Sequence, residues 1–527
     1  MGEKKDRRNR NRKYILIPAG ILLYALLLII LIKAESSAEG ATIISAPAAV
    51  WYSITTLTTV GYGDMYPVTA TGRAVGVLFQ LMSLGVLAAV LGMIFSILRG
   101  RIIPSLILYR NRNRHWFILS GRNYRTELLA KDLEKNKDAF PLFAEEPFSV
   151  EEILEKRNPD KLCTVLLLGD SARENEHLAL ELSGEENVRV CCMTEHEPER
   201  LPANIVLFNP YQSYARLYWK KYPLHDKDED IVMIGNGKYA FELLEQALLQ
   251  NVMDEKQCVT YHLLGDFSEF MRCHPFLDRM VRLDIGDSVT DADNSRTETE
   301  NPQCSLDRVI LEGDKWNSDL DILASADRII VCYDDENNNN SVLNSLFRYV
   351  AVSGKVYAVL STEYEGAECM GVCDGLYTEE VVLQQELNRM AIHMHELYLA
   401  DYPDNPGWQE LGMFLRQSNI AAADHLEMKI RILTGVKGEV SLNREMCSKA
   451  YEVFINANEN LRRRFREIEH MRWLRFHILN NWQYDSARDN ARRRHPMICA
   501  FDELSLEDQE KDDHSWELLN TIWKDND

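Results

Sequence analysis

A five-residue segment near the amino terminus has the composition needed to replace water around a cation. It reads Thr59-Val60-Gly61-Tyr62-Gly63. Glycine at alternate positions permits the backbone angles that point successive carbonyl groups toward one axis. Rings of such oxygens can take the place of a potassium ion's hydration shell, and the Thr59 hydroxyl adds an oxygen at the inner end. We therefore predict a filter over residues 59–63, with K+ bound there as the permeant ion.

Two apolar runs flank this segment and would hold it in a lipid bilayer. Residues 14–32 and 73–98 are predicted helices, and a hydrocarbon core of about 30 Å needs roughly 20 apolar residues in a helix. A signal peptide is the less favoured interpretation of the first run, because its apolar stretch exceeds the usual 7–15 or so residues. Lys and Arg crowd both outer flanks, while the stretch between the runs is nearly neutral. This asymmetry predicts a multi-pass protein of the plasma (inner) membrane with both termini in the cytoplasm.

A short helix should support the filter from behind. We predict it over residues 46–58, with Ser45 as N-cap and Pro47 in the first turn. Its carboxyl end carries partial negative charge, which favours a cation. The side chains expected to brace the filter are Trp51, Tyr52, Thr58 and Asp64. Tyr52 is expected to hold the Asp64 carboxylate.

Residues 14–100 resemble the two-transmembrane potassium channels. The resemblance rests on the filter and on the Tyr66-Pro67-Val68-Thr69 and Gly72-Arg73 that follow it. It implies a homotetramer, since one filter strand cannot surround an ion. It also implies a gating hinge in the second span, at Gly85. Some members carry a pore-helix Glu where this chain has Thr55, so that carboxyl pair is missing.

Composition restricts the partners of the remaining chain. The 527 residues carry a net charge of -22, and the acidic surplus lies beyond the first hundred. An acidic body does not suit a nucleic-acid partner, because phosphate binding needs clustered Lys and Arg. The eleven cysteines are scattered and mostly within apolar runs, as in a reducing compartment. Their spacing predicts no zinc site.

Beyond residue 114 a pattern of alternating strands and helices occurs twice. We assign the copies to residues 115–228 and 229–379, with a polar insert at 286–304 in the second. They resemble the regulator-of-potassium-conductance (RCK) domains, also called TrkA-N-like, which have a Rossmann-like fold. Acidic side chains at strand ends are either calcium ligands or, more commonly, solvated loop acids; they are Asp170, Glu174, Asp334, Asp335 and Glu336.

The second copy carries the better nucleotide-binding pattern. Gly235-x-Gly237-x-x-Ala240 fits the dinucleotide fingerprint, and Asp266 follows the next strand, where an acid can meet a ribose hydroxyl. A structural turn is the equally weighted alternative. In the first copy the pattern has become Gly121-x-Asn123-x-x-Thr126, with Glu145 or Glu146 as the acid. Side chains at these positions would obstruct a pyrophosphate.

The C-terminal segment, residues 380–527, is predicted to be mainly helical. It resembles the ryanodine-receptor (RyR) repeat domain through Glu469-His470-Met471-Arg472-Trp473, Trp482-Gln483-Tyr484 and His495-Pro496. Aromatic rings beside Arg and His can hold a flat ligand by stacking and cation–π contact. The ligand-binding candidates are Arg416, Asn419, His425, His470, Trp473, Trp482 and Tyr484. The alternative is a helical core in which the aromatic residues simply pack.

These observations predict a multi-domain chain: an all-α transmembrane pore, two α/β Rossmann-like domains and a helical end. The segments are a basic N-terminus at 1–13, the pore domain at 14–100, a linker at 101–114, and the copies and C-terminal domain given above. The expected function is passive, potassium-selective conduction gated by a cytoplasmic nucleotide or ion. The alternative is a membrane-anchored nucleotide-processing enzyme, but no catalytic motif supports it, so no enzymatic activity is expected. A non-conducting scaffold is a third class, which the intact filter disfavours.

Overall fold

A computed structural model gives the fold as two compact units, Met1–Asn111 and Arg112–Asp527, which we describe separately. The described residues are 22–145, 148–195, 202, 204–285, 306–313, 315–317, 319–373, 375–383, 385–438, 440 and 442–522. Four predicted features therefore lie outside them, wholly or in part: the basic terminus, the start of the first span, Glu146, and the polar insert at 286–304.

The first unit is helical. Its elements are α1 (residues 22–35), α2 (Ala46–Leu57), α3 (Ala70–Ile97), a π-helical turn (Leu98–Ile102) and α4 (Ile103–Arg110). Helix α2 is the predicted support helix, and the Ser45 hydroxyl caps it by accepting from the Ala48 N–H. Helix α3 begins three residues before the predicted position, because Thr69 caps it by accepting from the Gly72 N–H at 2.9 Å. Across the described residues, no helix is both long enough and apolar enough to cross a membrane.

A buried carboxylate joins the end of α1 to the start of α3. Glu35 is fully buried and accepts hydrogen bonds from the Val68 N–H at 2.9 Å and the Thr69 N–H at 3.0 Å. The Thr69 hydroxyl donates to the same carboxylate at 2.6 Å. A Cβ atom on Gly72 would lie 2.1 Å from Glu35 Oε1 and 2.9 Å from Pro67 Cβ, so a side chain there would displace the carboxylate from its hydrogen bonds. The carboxylate also suits the positive end of the α3 dipole.

The second unit begins with a five-stranded parallel sheet. Its strands are β1 (His115–Leu119), β2 (Ala139–Phe143), β3 (Cys163–Leu167), β4 (Val188–Met193) and β5 (Ile205–Phe208), in the order β2-β1-β3-β4-β5. The accompanying helices are α5 (Tyr124–Leu133), α6 (Val150–Leu154), α7 (Ala172–Glu181) and α8 (Pro210–Lys221). The central strand β3 is fully buried, and such parallel strands need helices on the sheet faces, as in Rossmann-like folds.

A seven-stranded parallel sheet follows. Its strands are β6 (Asp230–Ile234), β7 (Thr260–Leu264), β8 (Arg282–Ile285), β9 (Arg308–Gly313), β10 (Arg328–Val331), β11 (Lys355–Val359) and β12 (Ala367–Met370), in the order β12-β11-β10-β6-β7-β9-β8. Its helices are α9 (Lys238–Gln250), α10 (Ser268–Cys273), α11 (Leu320–Ser325), α12 (Glu336–Tyr349) and α13 (Glu379–Val382).

The predicted duplication is confirmed by the strand order. The run β7-β6-β10-β11-β12 repeats the order of the first sheet, and β8 and β9 extend the sheet beyond β7. A matching side chain follows the central strand of each copy. The Asn175 amide both accepts from and donates to the Gly169 backbone, and the Asn339 amide does the same with Tyr333. Both amides also donate to a carbonyl of the neighbouring strand.

The C-terminal segment is mainly helical, as predicted. It contains α14 (Arg389–Asp401), α15 (Met413–Asp424), α16 (Leu426–Thr434), α17 (Arg444–Ile455), α18 (Glu459–Leu479), α19 (Leu506–Lys511) and α20 (His514–Glu517), with a two-stranded pair, β13 (Gln483–Tyr484) and β14 (Arg494–His495). One hydrophobic core contains Phe117 of the first sheet, Met233 of the second and Leu474 of α18. The C-terminal helices therefore share a core with both sheets.

An ion pair without solvent exposure fixes α18 to the second sheet. Arg475 donates to the Asp307 carboxylate at 2.7 Å, and both side chains are completely buried. Asp307 also accepts from the Val259 N–H and the Gln257 amide, each at 2.8 Å. A buried charge is tolerated when it is paired and hydrogen-bonded in this way.

Candidate ion-conduction and ligand-binding sites

The backbone of the predicted filter alternates between two conformations. Thr59, Gly61 and Gly63 have φ angles of +60°, +52° and +75°, in the left-handed region. The sequence indicated this conformation for the glycines but gave no signal for Thr59, since a threonine rarely adopts positive φ. The Thr55 carbonyl anchors the segment by accepting from the N–H groups of Val60 at 2.9 Å and Gly61 at 3.1 Å.

The Asp64 carboxylate is held by Trp51, and the prediction that Tyr52 holds it was wrong. Trp51 Nε1–H donates to Asp64 Oδ2 at 2.9 Å, and the indole stacks on Tyr62 with 5.9 Å between ring centroids. Tyr52 is buried and packs edge-on against Phe79 of α3. Successive helical residues point about 100° apart, so only one of the two aromatic residues can face the filter.

The remaining predicted positions of this unit have ordinary contacts. The Thr58 hydroxyl donates to the Ile54 carbonyl at 2.7 Å and helps to close the end of α2. Gly85 lies within α3, and its role as a hinge stays a prediction. The π-helical turn that follows α3 was not predicted, although Pro104 just beyond it is a signal for a break in the helix. Such turns are frequent at functional sites.

Replacing Trp51 by phenylalanine tests the filter brace. The variant keeps an aromatic ring for Tyr62 but loses the hydrogen bond to a charged acceptor, which contributes about 1.5–3 kcal/mol. We expect the potassium-over-sodium permeability ratio, measured from bi-ionic reversal potentials in planar bilayers, to fall several-fold. Tyr52→Phe is the matched control and should leave the ratio unchanged. A larger effect from the control would show that the brace is not Trp51.

The glycine-rich turn of the second copy lies between β6 and α9. Gly237 has a φ angle of +93° and forms the N-cap of α9, and Ala240 is fully buried in the first turn. The first two N–H groups of α9 donate to one side chain: Lys238 to Asp334 Oδ2 at 3.1 Å, and Tyr239 to Asp334 Oδ1 at 3.0 Å. The helix end that would receive a phosphate in a Rossmann site therefore already holds a carboxylate of the chain itself.

The other residues around these turns also have internal roles. Gly235 donates to the Leu264 carbonyl at 3.0 Å. Asp266 accepts from the side chain and the backbone N–H of Ser268, and these hydrogen bonds lower the pKa of its carboxyl. In the first copy Asn123 caps α5 by accepting from the Thr126 N–H at 2.9 Å. The obstruction of a pyrophosphate by these side chains stays a prediction. Nucleotide binding at either turn stays a prediction.

Three candidates of the C-terminal segment have structural roles. Arg416 donates to two backbone carbonyls, each at 3.0 Å, and Asn419 donates to the Leu415 carbonyl one turn back. His425 is completely buried, with Nε2 2.6 Å from the Val252 carbonyl. Burial lowers the pKa of His425 to about 3, so this imidazole is neutral. The sequence showed these polar residue types but not their backbone partners.

The aromatic candidates divide into core and surface. Trp482 is buried and stacks on Phe414, which agrees with the packing alternative for this residue. Tyr484 is exposed. Trp473 is only partly buried. Its ring centroid lies 3.7 Å from that of His477 and 5.1 Å from that of His495. The ring of buried His470 also lies beside Trp473, with 5.9 Å between the ring centroids.

Trp473 borders a cleft of about 390 Å³. Among the described residues, no group of three or more His, Cys, Asp or Glu side chains is arranged to hold a metal ion. The calcium interpretation of the strand-end acids gains no support from their positions. The cleft combines an open volume with a partly exposed aromatic ring, that of Trp473.

Comparison with known proteins supports the identification of the pore segment. Residues 16–100 match a family model described as an ion channel. Over 83 residues the chain is 40% identical to the potassium voltage-gated channel protein Shal of Drosophila melanogaster, and 37% identical to the A-type voltage-gated potassium channel KCND3 of Rattus norvegicus. These matches cover 15% of this chain and 14% and 13% of those proteins. The resemblance to potassium channels is thus confirmed over the pore segment.

Solved structures of the GsuK channel also match the chain. A GsuK mutant covers 70% of this chain and 96% of its own length, at 16% identity and a TM-score of 0.32. GsuK bound to NAD covers 70% and 83%, at 13% identity and a TM-score of 0.31. Likeness at this level does not by itself establish a common fold. The Rossmann-like character of the second unit rests on its own parallel sheets.

Proposed function

We propose that the chain is the subunit of a homotetrameric, potassium-selective channel that conducts K+ passively across the plasma (inner) membrane. The observation that carries this proposal is the left-handed backbone at residues 59, 61 and 63, inside the segment that matches the ion-channel family model. Alternation of this kind turns carbonyl oxygens to one side, and a ring of copies turns them toward a common axis. Fourfold symmetry is the arrangement that completes the ring.

Gating by a cytoplasmic ligand completes the proposal. The two Rossmann-like sheets and the C-terminal helices share one core, so a ligand bound to any of them acts on a single body. The ligand shifts gating only by its differential affinity for the open and closed states. Because Asp334 occupies the N-terminus of α9, a pyrophosphate would have to displace it there. This contact favours the C-terminal segment as the sensor.

Ion flux in reconstituted vesicles tests conduction and gating together. The purified full-length chain is placed in potassium-loaded liposomes, and uptake of a rubidium tracer is followed with nucleotides, cyclic dinucleotides or divalent ions added singly. We expect the vesicles to take up the rubidium tracer when they are loaded with potassium or rubidium but not when they are loaded with sodium. One of the added ligands should change the rate of this uptake. A monomeric protein, or vesicles as tight as protein-free ones under every condition, would overturn the proposal.

A further inference from the structure

The cleft beside Trp473 has an unusual floor. It lies between α15, α18 and the last helices, and its walls include Phe414, Trp473, His495 and Asp512. Glu469 reaches the cleft from below and is paired with Lys429 at 2.8 Å and Arg472 at 2.6 Å. Asp512 is different, because its Oδ2 atom is buried and has no hydrogen-bond partner among the described residues.

One ring nitrogen of the neighbouring His470 also has no hydrogen-bond partner among the described residues, although its Nε2 atom lies 3.0 Å from the Cys499 carbonyl oxygen. His470 Nδ1 lies 3.8 Å from Asp512 Oδ2, too far for a hydrogen bond, and has no other partner in the described part of the chain. Leaving a buried polar atom without a hydrogen bond costs about 1–3 kcal/mol. Burial and the Glu469 carboxylate raise the pKa of Asp512 to about 8, so its carboxyl is protonated near neutral pH. A protonated carboxyl offers one donor and one acceptor side by side.

The walls and the rim of the cleft carry an aromatic ring and cationic side chains. Trp473 offers a partly exposed indole that His477 already contacts, with 3.7 Å between ring centroids. Stacking a base on the exposed part of such a ring contributes about 1–3 kcal/mol. Arg488 is exposed at the rim, with Nε donating to Asn490 at 2.8 Å. Lys511 lies nearby, paired with Asp508 at 2.6 Å, and His514 is exposed beside it. This cationic rim stands on a chain of net charge -22.

We propose that this cleft binds an adenine nucleotide, with the ring on Trp473, the N1 and N6 edge on Asp512 and the phosphates on Arg488. Adenine presents an acceptor at N1 and a donor at N6 on that edge, which complements a protonated carboxyl. The assignment rests on the proposed function, for which it supplies the gating ligand. It also moves the sensor from the glycine-rich turns to the C-terminal helices.

Calorimetry on the full-length chain in detergent tests the assignment with ADP, adenosine and inorganic pyrophosphate as probes. Asp512→Ala should lower the affinity for both ADP and adenosine by at least about 10-fold, because it removes the hydrogen bonds to the base edge. Asp512→Asn should retain both affinities, because an amide has the same donor and acceptor. Affinity of the wild-type chain for ADP should fall as the pH rises above 8, and that of Asp512→Asn should not.

The rim is tested by Arg488→Gln, with Arg492→Gln as the matched control. Arg492 is exposed four residues away and does not line the cleft. Arg488→Gln should lower the affinity for ADP about 10-fold and leave the affinity for adenosine unchanged, because it removes one charge-assisted contact to the phosphates. Equal ADP affinity in the wild-type chain and Asp512→Ala would overturn the assignment, as would pyrophosphate binding as tightly as ADP.

The outcome separates this site from the channel itself. If ADP binds with the expected variant pattern but no vesicle conducts, the cleft stands and the proposed function falls. If ADP gates the flux equally in the wild-type chain and Asp512→Ala, the function stands and the cleft assignment falls.

Discussion

Potassium flux is expected to fall to the level of protein-free vesicles when Gly63 is replaced by aspartate. Gly63 holds a φ angle of +75°, and a side chain in this region strains the backbone by about 1–2 kcal/mol. The strain would recur in every subunit of the ring and would turn a carbonyl away from the axis. The substitution also places a carboxylate at each filter mouth. Tracer uptake by liposomes measures the result.

Gly40→Asp is the matched control for this experiment. Gly40 is exposed in the same unit and has a φ angle of +81°, and a Cβ atom added to it would meet nothing within 4 Å. Gly40→Asp therefore introduces the same backbone strain and the same negative charge as Gly63→Asp, but outside the filter. We expect normal flux from it. Conduction by Gly63→Asp at the rate of the wild-type chain would refute the filter assignment.

A large loss of folding stability is expected when the buried ion pair of Arg475 and Asp307 is broken. Arg475→Met keeps most of the side-chain volume but leaves the Asp307 carboxylate buried without its cation. Breaking such a pair costs about 3–5 kcal/mol of unfolding free energy. The shift should appear in the denaturant midpoint, followed by tryptophan fluorescence of the full-length chain in detergent.

Arg464→Gln controls for the loss of an arginine from the same helix. Arg464 is about half exposed and pairs with Asp254 and Glu255 near 3 Å, so its removal should cost at most about 1 kcal/mol. Adding Asp307→Asn to Arg475→Met should restore part of the stability, since it removes the unpaired charge. Equal effects from the two arginine variants would show that the buried pair is not the cause.

Local signals in the sequence were sufficient for the filter and the repeated sheets. Alternate glycines indicated unusual backbone angles at residues 61 and 63, and the repeated alternation of strands and helices predicted two Rossmann-like sheets. Both depend on residues close together in the chain. The positive φ of Thr59 was not predicted, because a β-branched residue rarely adopts it; it accompanies hydrogen bonds from the Val60 and Gly61 N–H groups to the Thr55 carbonyl.

Contacts between distant segments explain what could not be predicted. Asp334 caps α9 across almost a hundred residues, and Arg475 finds Asp307 across an even longer separation. Neither pairing leaves a pattern in a single sequence. The assignment of Asp64 to Tyr52 failed for a related reason, since the choice between adjacent aromatic residues depends on which face of α2 meets α3.

The common core of the sheets and the C-terminal helices limits how this protein can be shortened. Leu474 of α18 packs in the same cluster as Phe117 and Met233, far upstream. A chain that stops after β12 would expose that apolar surface to water and would tend to aggregate. Truncation is therefore a poor way to ask what the last third of the chain does, and point substitutions at the cleft are the better tool.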